Sequence, residues 1–190
     1  MGLWKKADSA GDKDGESSVH TSSSNGDLRY KELSADELRK MAGATKAVTA
    51  TFGEMVSLLM RLPQYKHFSL ADLEWLVVPA LLTGQFSLVT AQSKTKGLTA
   101  PVGIVLWASV SEDLDKRLSG APGQPIRLQP PEWKSGDVLW VVLAAGDQRV
   151  MQGMLKRLQE NEWAHKKPAK IFARAKDGRP TVTTLESKAA

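Results

Sequence analysis

Apolar residues recur at spacings of three and four in some stretches of the chain and alternate or run together in others. From about Thr45 to Arg61, Phe52, Met55, Val56, Leu59 and Met60 make one stripe, which predicts a helix that Pro63 ends. Just before it, Ser34-Ala35-Asp36-Glu37 reads as a capping box that starts a short helix. Ser69-Leu70-Ala71-Asp72 can cap the next helix, which runs to about Val78 and is crowded with Leu73, Trp75, Leu76 and Val77. Pro79, late in that run, kinks or ends it. Gln85 to Ala91 then alternates Phe86, Leu88 and Thr90 against Ser87 and Val89, the period of a strand. Val102 to Val110 reads as a buried strand, paired with the first through a turn containing Lys94, Lys96 and Gly97. Ser111-Glu112-Asp113 opens a short helix to about Leu118, and the proline-rich stretch Gly120 to Pro131 is a loop, with room for a short extended piece at Ile126 to Leu128. Val138 to Ala144 is a further buried strand. Asp147 or Gln148 to Trp163 is a helix with Val150, Met151, Met154, Leu155 and Leu158 on its apolar face. Lys170 to Ala175 and Thr181 to Leu185 flank the turn Lys176-Asp177-Gly178-Arg179 and predict a closing hairpin.

The order is therefore α, α, β, β, α, β, α, β, β. It predicts an α/β (α+β) domain with a mostly antiparallel central sheet flanked by helices, and one strand–helix unit near the middle. A compact acyltransferase of the N-acetyltransferase type has this element order. The domain is expected over residues 35–190, behind a disordered polar tail over residues 1–34. Ser9 to Asp27 is rich in Ser, Gly, Asp and Lys and has almost nothing to bury.

Composition narrows the chemistry. The 190 residues are 42% hydrophobic and 25% charged, which suits one domain with a real core. There is no cysteine, so disulfides, thiol catalysis and cysteine metal sites are excluded. The longest apolar stretch, Leu73 to Leu82, is interrupted by Glu74 and is too short to span a bilayer. No secretory leader is legible at the N-terminus, so a cytoplasmic location is expected. The net charge is +5, and the excess lies late: Lys156 to Arg179 holds eight basic residues against Glu160, Glu162 and Asp177. Such a face attracts an acidic protein, an anionic membrane or nucleic acid, or is simply a solvated surface. No nucleic-acid-binding motif accompanies it, so nucleic acid is not an expected partner, and neither is a membrane. No metal-ligand spacing, Walker loop or Rossmann loop is present, so neither a metal nor a bound cofactor is expected.

The segment LMRLPQYKHFSLADLEWLVVPALLTGQF, Leu59 to Phe86, is the distinctive part, together with PVGIVLWASVSEDLDKRL and EWKSGDVLWVV. Its landmarks are Pro63, Pro79, Gly84-Gln85-Phe86, Trp107-Ala108 before Ser111-Glu112, Trp133, Ser135-Gly136-Asp137 and Trp140. In these the chain resembles the RTX-toxin-activating protein-lysine acyltransferases of the haemolysin- and cyclolysin-activating type, over roughly Thr51 to Val150 and more loosely Lys170 to Leu185. The resemblance implies an N-acetyltransferase-like fold. It implies a fatty acyl donor, acyl carrier protein, and internal lysines of an RTX-type protoxin as acceptors. It also implies a catalytic His in a Ser-Pro-x-His motif and an essential Asp in the strand after Ser-Gly-Asp. Here Leu62 stands for the Ser and Tyr65 for the His, with His67 two residues on; Leu143 falls at the Asp position.

Acyl transfer to lysine needs a base for the ammonium and donors for the developing oxyanion. His20 lies in the tail and His165 among lysines, which leaves His67, inside the motif, as the candidate base; its other reading is a residue that caps or packs between helices. Tyr65 can donate a proton to the leaving thiol, or is an ordinary half-buried aromatic. Asp147 can orient His67 or hold the lysine ammonium, or is the plain N-cap of the following helix. Ala144-Ala145-Gly146 lets backbone approach closely just before a helix N-terminus. Ala145 and Gly146 are therefore the candidates for holding the phosphopantetheine of the carrier, with Lys156, Arg157, Lys166 and Lys167 facing the carrier's acidic surface. Besides the carrier and an RTX-type substrate, a homodimer is possible. The alternative function is a catalytically degenerate relative that binds a carrier or client protein without turnover.

Overall fold

The computed structural model describes residues 35–92, 97 and 99–185. The expected tail, the Ser34 cap and the lysines of the first hairpin turn lie outside the described residues. Helix α1 (Ala35–Arg61) is one continuous element where the sequence predicts two. The junction carries Ala42, Ala44 and Ala47, the best helix formers, and no proline, so nothing there stops propagation. Its buried face is Met55, Leu58 and Leu59, with Phe52, Val56 and Leu62 half-covered. Met60, expected on that face, is 66% exposed. At 100° per residue it lies well round the helix from the line through Met55 and Leu59.

Pro63 starts a single 3-10 turn (Pro63–Tyr65). Helix α2 (Leu70–Leu76) follows and ends, as expected, just before Pro79; α3 (Val78–Thr83) then begins with Pro79 in its first turn. Gly84, at φ 70°, ends α3 in the left-handed conformation. Then come β1 (Phe86–Gln92), β2 (Thr99–Val110), α4 (Glu112–Ser119), β3 (Val138–Gly146), α5 (Gln148–Glu160), β4 (Ala169–Arg174) and β5 (Pro180–Leu185). The stretch at Ile126–Leu128 forms no strand. Ile126 and Leu128 are instead buried under the loop as plugs.

The strands form one sheet in chain order, β1-β2-β3-β4-β5. All neighbours are antiparallel except β3 and β4, which α5 connects as a parallel pair. The expected mixed fold with a mostly antiparallel sheet is therefore what the chain adopts. Side chains alternate across β2. Ile104, Leu106, Ala108 and Val110 meet α1–α4 on one face, while Val105 and Trp107 meet Met154, Leu158 and Trp163 on the α5 side. Gln85, predicted to open β1, lies before it and is buried. Its amide nitrogen donates to the Trp133 carbonyl at 2.8 Å and to Thr83 Oγ1 at 3.0 Å. Its oxygen accepts from Ser109 Oγ and N–H. One side chain thereby ties the end of α3, the loop before β3 and the C-terminal end of β2, and each buried polar atom has a partner.

Candidate functional site

The turn that carries the expected base is tightly specified. Leu62 N–H donates to Leu59 O, Tyr65 N–H to Leu62 O at 3.0 Å, and Phe68 N–H to Tyr65 O at 3.0 Å. Ser69 and Asp72 then form a reciprocal capping box: Asp72 N–H donates to Ser69 Oγ, and Ser69 N–H to Asp72 Oδ2 at 2.9 Å. Hydrogen bonds from the Ser69 backbone and hydroxyl hold the Asp72 carboxyl below the usual carboxylate range. Between these anchors stands Phe68. Tyr65 packs edge-on to it at 5.3 Å and 76°, and His67 edge-on at 5.3 Å and 81°. The two candidate acid–base side chains thus share one aromatic support. Tyr65 is half-buried against the core, and burial pushes its phenol up, so it stays protonated at neutral pH as a donor and not a base. His67 is exposed, with its ring open to an incoming group.

Leu143 reaches the same face through a bulge. Leu106 pairs with Leu143 but Trp107 pairs with Val141, so Val142 is an extra residue in β3. Without it, Leu143 would point toward α5. With it, Leu143 sits at 8% exposure in the core cluster against which Tyr65 packs. The position the resemblance gives to an essential Asp is therefore aimed at the α1–α3 side and filled with a buried leucine.

Ala145, 2% exposed, also points into that cluster. Gly146, at φ 147°, lies so close to β2 that a Cβ would stand 2.4 Å from Val102 O. Asp147 N–H donates to the same carbonyl, and Arg61 donates to the carbonyl of Pro101 next to it. Two adjacent residues of β2 therefore receive the end of α1 and the end of β3. Asp147 is exposed and caps α5. Its Oδ1 accepts from Arg149 N–H at 2.9 Å and Val150 N–H at 3.4 Å, so it occupies amides that the sequence offered to a phosphate. Oδ2 takes no part in the cap. Among the described residues, no hydrogen bond or ring contact joins Asp147 to His67 or Tyr65.

The parallel pair adds a feature that local pattern does not reveal. β3 and β4 meet in register only at Trp140 and Lys170; β3 runs on to Gly146 and β4 to Arg174 with no ladder between them. A clamp holds this meeting point: Asp115 on α4 accepts from Lys170 Nζ at 2.8 Å on both oxygens and from Trp140 Nε1 at 2.8 Å. Burial pushes the Asp115 carboxyl up, but the bonds from Lys170 and Trp140 outweigh it and leave it below the usual range. Of the cations expected to face a carrier, Lys156 pairs with Glu160 and Lys167 with Glu112, each at 3.7 Å. Arg157 borders a groove of about 420 Å³ between β1 and α5.

Comparison with known families settles the scaffold. A sequence profile of the RTX toxin acyltransferase family, HlyC, matches residues 44–184, well over half of the chain. The chain belongs to that family. None of the curated proteins matches it. The expected resemblance is thus confirmed. Membership carries acyltransferase activity in RTX toxin activation, and the match runs from α1 to β5, including the 62–69 turn and the bulge in β3. Among the described residues no three His, Asp or Glu gather as a metal site, and no helix is long and apolar enough to cross a membrane.

Proposed function

We propose that this family member moves a fatty acyl group from acyl carrier protein to lysine ε-amino groups of an RTX-type protoxin. The observation that carries the reading is that an exposed imidazole and a protonated phenol each pack edge-on against Phe68. The stretch of β3 beyond Trp140, which has no ladder partner on β4 and ends in Ala145 and Gly146, offers strand backbone to an amide-bearing phosphopantetheine arm. His67 takes the proton of the lysine ammonium, because only the neutral amine attacks a thioester. The amine nitrogen then bonds to the carbonyl carbon, and the oxyanion collapses with cleavage of the carbon–sulfur bond. Tyr65 protonates the departing thiolate and recovers a proton from the former amine nitrogen, which must shed its second proton to become an amide; the products are the amide, the free carrier thiol and the proton that His67 passes to solvent. Asp147 Oδ2, which the cap leaves unused and which no hydrogen bond among the described residues joins to His67, is left to hold the lysine ammonium.

The test is acyl loss from fatty acyl carrier protein, followed by intact mass, with an RTX-type acceptor and with wild type, His67→Ala and Tyr65→Phe in parallel. We expect transfer by wild type, a loss of about 10²–10⁴-fold in His67→Ala, and a smaller loss in Tyr65→Phe. Undiminished transfer by His67→Ala would remove it from the base role. The second reading, a relative that binds carrier or client without turnover, is favoured by the buried Leu143 at the Asp position. Carrier binding without acyl loss, across several chain lengths and acceptors, would establish that reading instead.

A further inference from the structure

At the end of the sheet opposite Gly146, two loops form a basic pocket that acyl transfer itself does not use. Lys134, Asp137, His165, Lys166 and Lys167 line a cavity of about 310 Å³ above Ser109. Both walls are held in place. Lys134 is bridged to Ser109, Gly136 N–H donates to Ser109 O at 3.1 Å, and Ser135 Oγ accepts from Ser111 N–H at 3.0 Å. A Cβ on Gly136 would stand 2.5 Å from Val110 O, so this loop lies flat against β2. The other wall follows Trp163, which is 3% exposed and donates its N–H to Leu158 O at 2.8 Å. Lys166 N–H then donates to Trp163 O.

The lysines therefore converge from two pre-set segments and are not scattered over a flexible surface. Lys134 and Lys166 make no ion pair among the described residues, and Lys167 makes one long contact, to Glu112. β3 separates this pocket from Gly146, about 26 Å at ~3.3 Å per residue, too far for it to serve the Ala145–Gly146 end of that strand.

We infer that this pocket docks an acidic segment of the protein acceptor, away from the lysine that is acylated. The carboxylate Asp137 among the lysines suits a peptide, whose N–H groups it can accept, better than a polyphosphate. No aromatic side chain lines the pocket to stack a base. The inference rests on the family's use of a protein as acceptor, and its test needs no turnover.

The probe is a fluorescein-labelled decapeptide rich in Asp and Glu. Its Asn/Gln counterpart, a single-stranded oligonucleotide and vesicles containing anionic lipid serve as comparison arms. The acidic peptide should bind the full chain with an affinity that falls as salt rises. Lys134→Ala/Lys166→Ala/Lys167→Ala should weaken it about tenfold, a few-fold per exposed pair. Lys156→Ala/Arg157→Ala should leave it nearly unchanged. These side chains are solvent-exposed, so the variants should keep the wild-type circular dichroism. In an acyl-transfer assay the triple variant should raise KM for the acceptor protein; a rise in KM for acyl carrier protein instead, whose acidic surface the sequence pairs with Lys166 and Lys167, would overturn the assignment. Peptide binding that the triple variant does not weaken would overturn the assignment. So would preferential retention of the oligonucleotide or the vesicles through the same three lysines. Absence of acyl transfer with peptide binding intact would count against the proposed reaction and leave the docking pocket standing.

Discussion

Asp115→Ala removes the clamp where β3 meets β4, and its cost can be worked from the contacts. Trp140 is 0% exposed, so its Nε1 would be left in the core without an acceptor, about 1–3 kcal/mol. Lys170 would lose both carboxylate bonds, but its side chain is 28% exposed and can turn toward water. Its share is therefore well below the ~3–5 kcal/mol of a fully buried broken pair. Together the loss is about 2–4 kcal/mol, a large part of a typical domain's ~5–15 kcal/mol. In a urea titration the midpoint should fall by that amount over m, and the melting temperature should drop by about 5–15 °C. Lys170→Met should cost less, because Asp115 keeps Trp140. The double variant should show a coupling of about 0.5–3 kcal/mol. The pH dependence follows from the lowered carboxyl. Its stabilisation is fully present above the unfolded carboxylate value of about 3.9 and is lost as pH falls toward the lower folded value; Asp115→Asn should flatten that loss. An Asp115→Ala chain within about 0.5 kcal/mol of wild type would refute the argument that this carboxylate holds β3, β4 and α4 together.

Gly146→Ala should cost at least about 2 kcal/mol by thermal melting, because a Cβ at φ 147° would meet backbone, Val102 O at 2.4 Å and Gly103 Cα at 2.8 Å. A variant melting within a degree of wild type would show that β3 does not end against β2 there. Gly103→Ala meets only the side chains of Met154 and Val150, so denaturant unfolding should report a smaller loss. Leu143→Asp should destabilise more than Leu143→Ala, itself about 2–5 kcal/mol, because it buries a carboxylate among apolar neighbours. A Leu143→Asp chain as stable as wild type would place that side chain within reach of water or a cation.

Local pattern located the helices and strands of the domain, because each rests on a short-range rule: apolar spacing, a capping Ser69 or Ser111, a Pro63 or Pro79 that cannot continue a helix. It split α1 because the change from polar to apolar stripe near Thr45 looks like a boundary, while alanines carry the helix across it. Met60 was misplaced for a similar reason, since spacing alone does not say where the stripe's centre falls. The site was legible in part. Tyr65 and His67 stand out inside a motif, but their shared contact with Phe68 comes from the turn. Asp115 and Lys170 gave no signal, because the residues of a 55-residue-long pairing carry no local mark.

By itself, then, the sequence determined which stretches become helix and strand, the absence of cysteine chemistry and the family scaffold, since those depend on side chains acting within a few residues or on a recurring order of motifs. Only the tertiary structure decided which face each side chain serves. A single extra residue, Val142, turns Leu143 from the α5 side to the Tyr65 side. The close approach of β2 decides that Gly146 must lack a side chain. The crossover through α5 brings Lys170 to Asp115 and sets β4 beside β3 at Trp140. Each of these depends on where a distant strand lies, and strand pairing is set by packing across the whole sheet, not by any local stretch of residues.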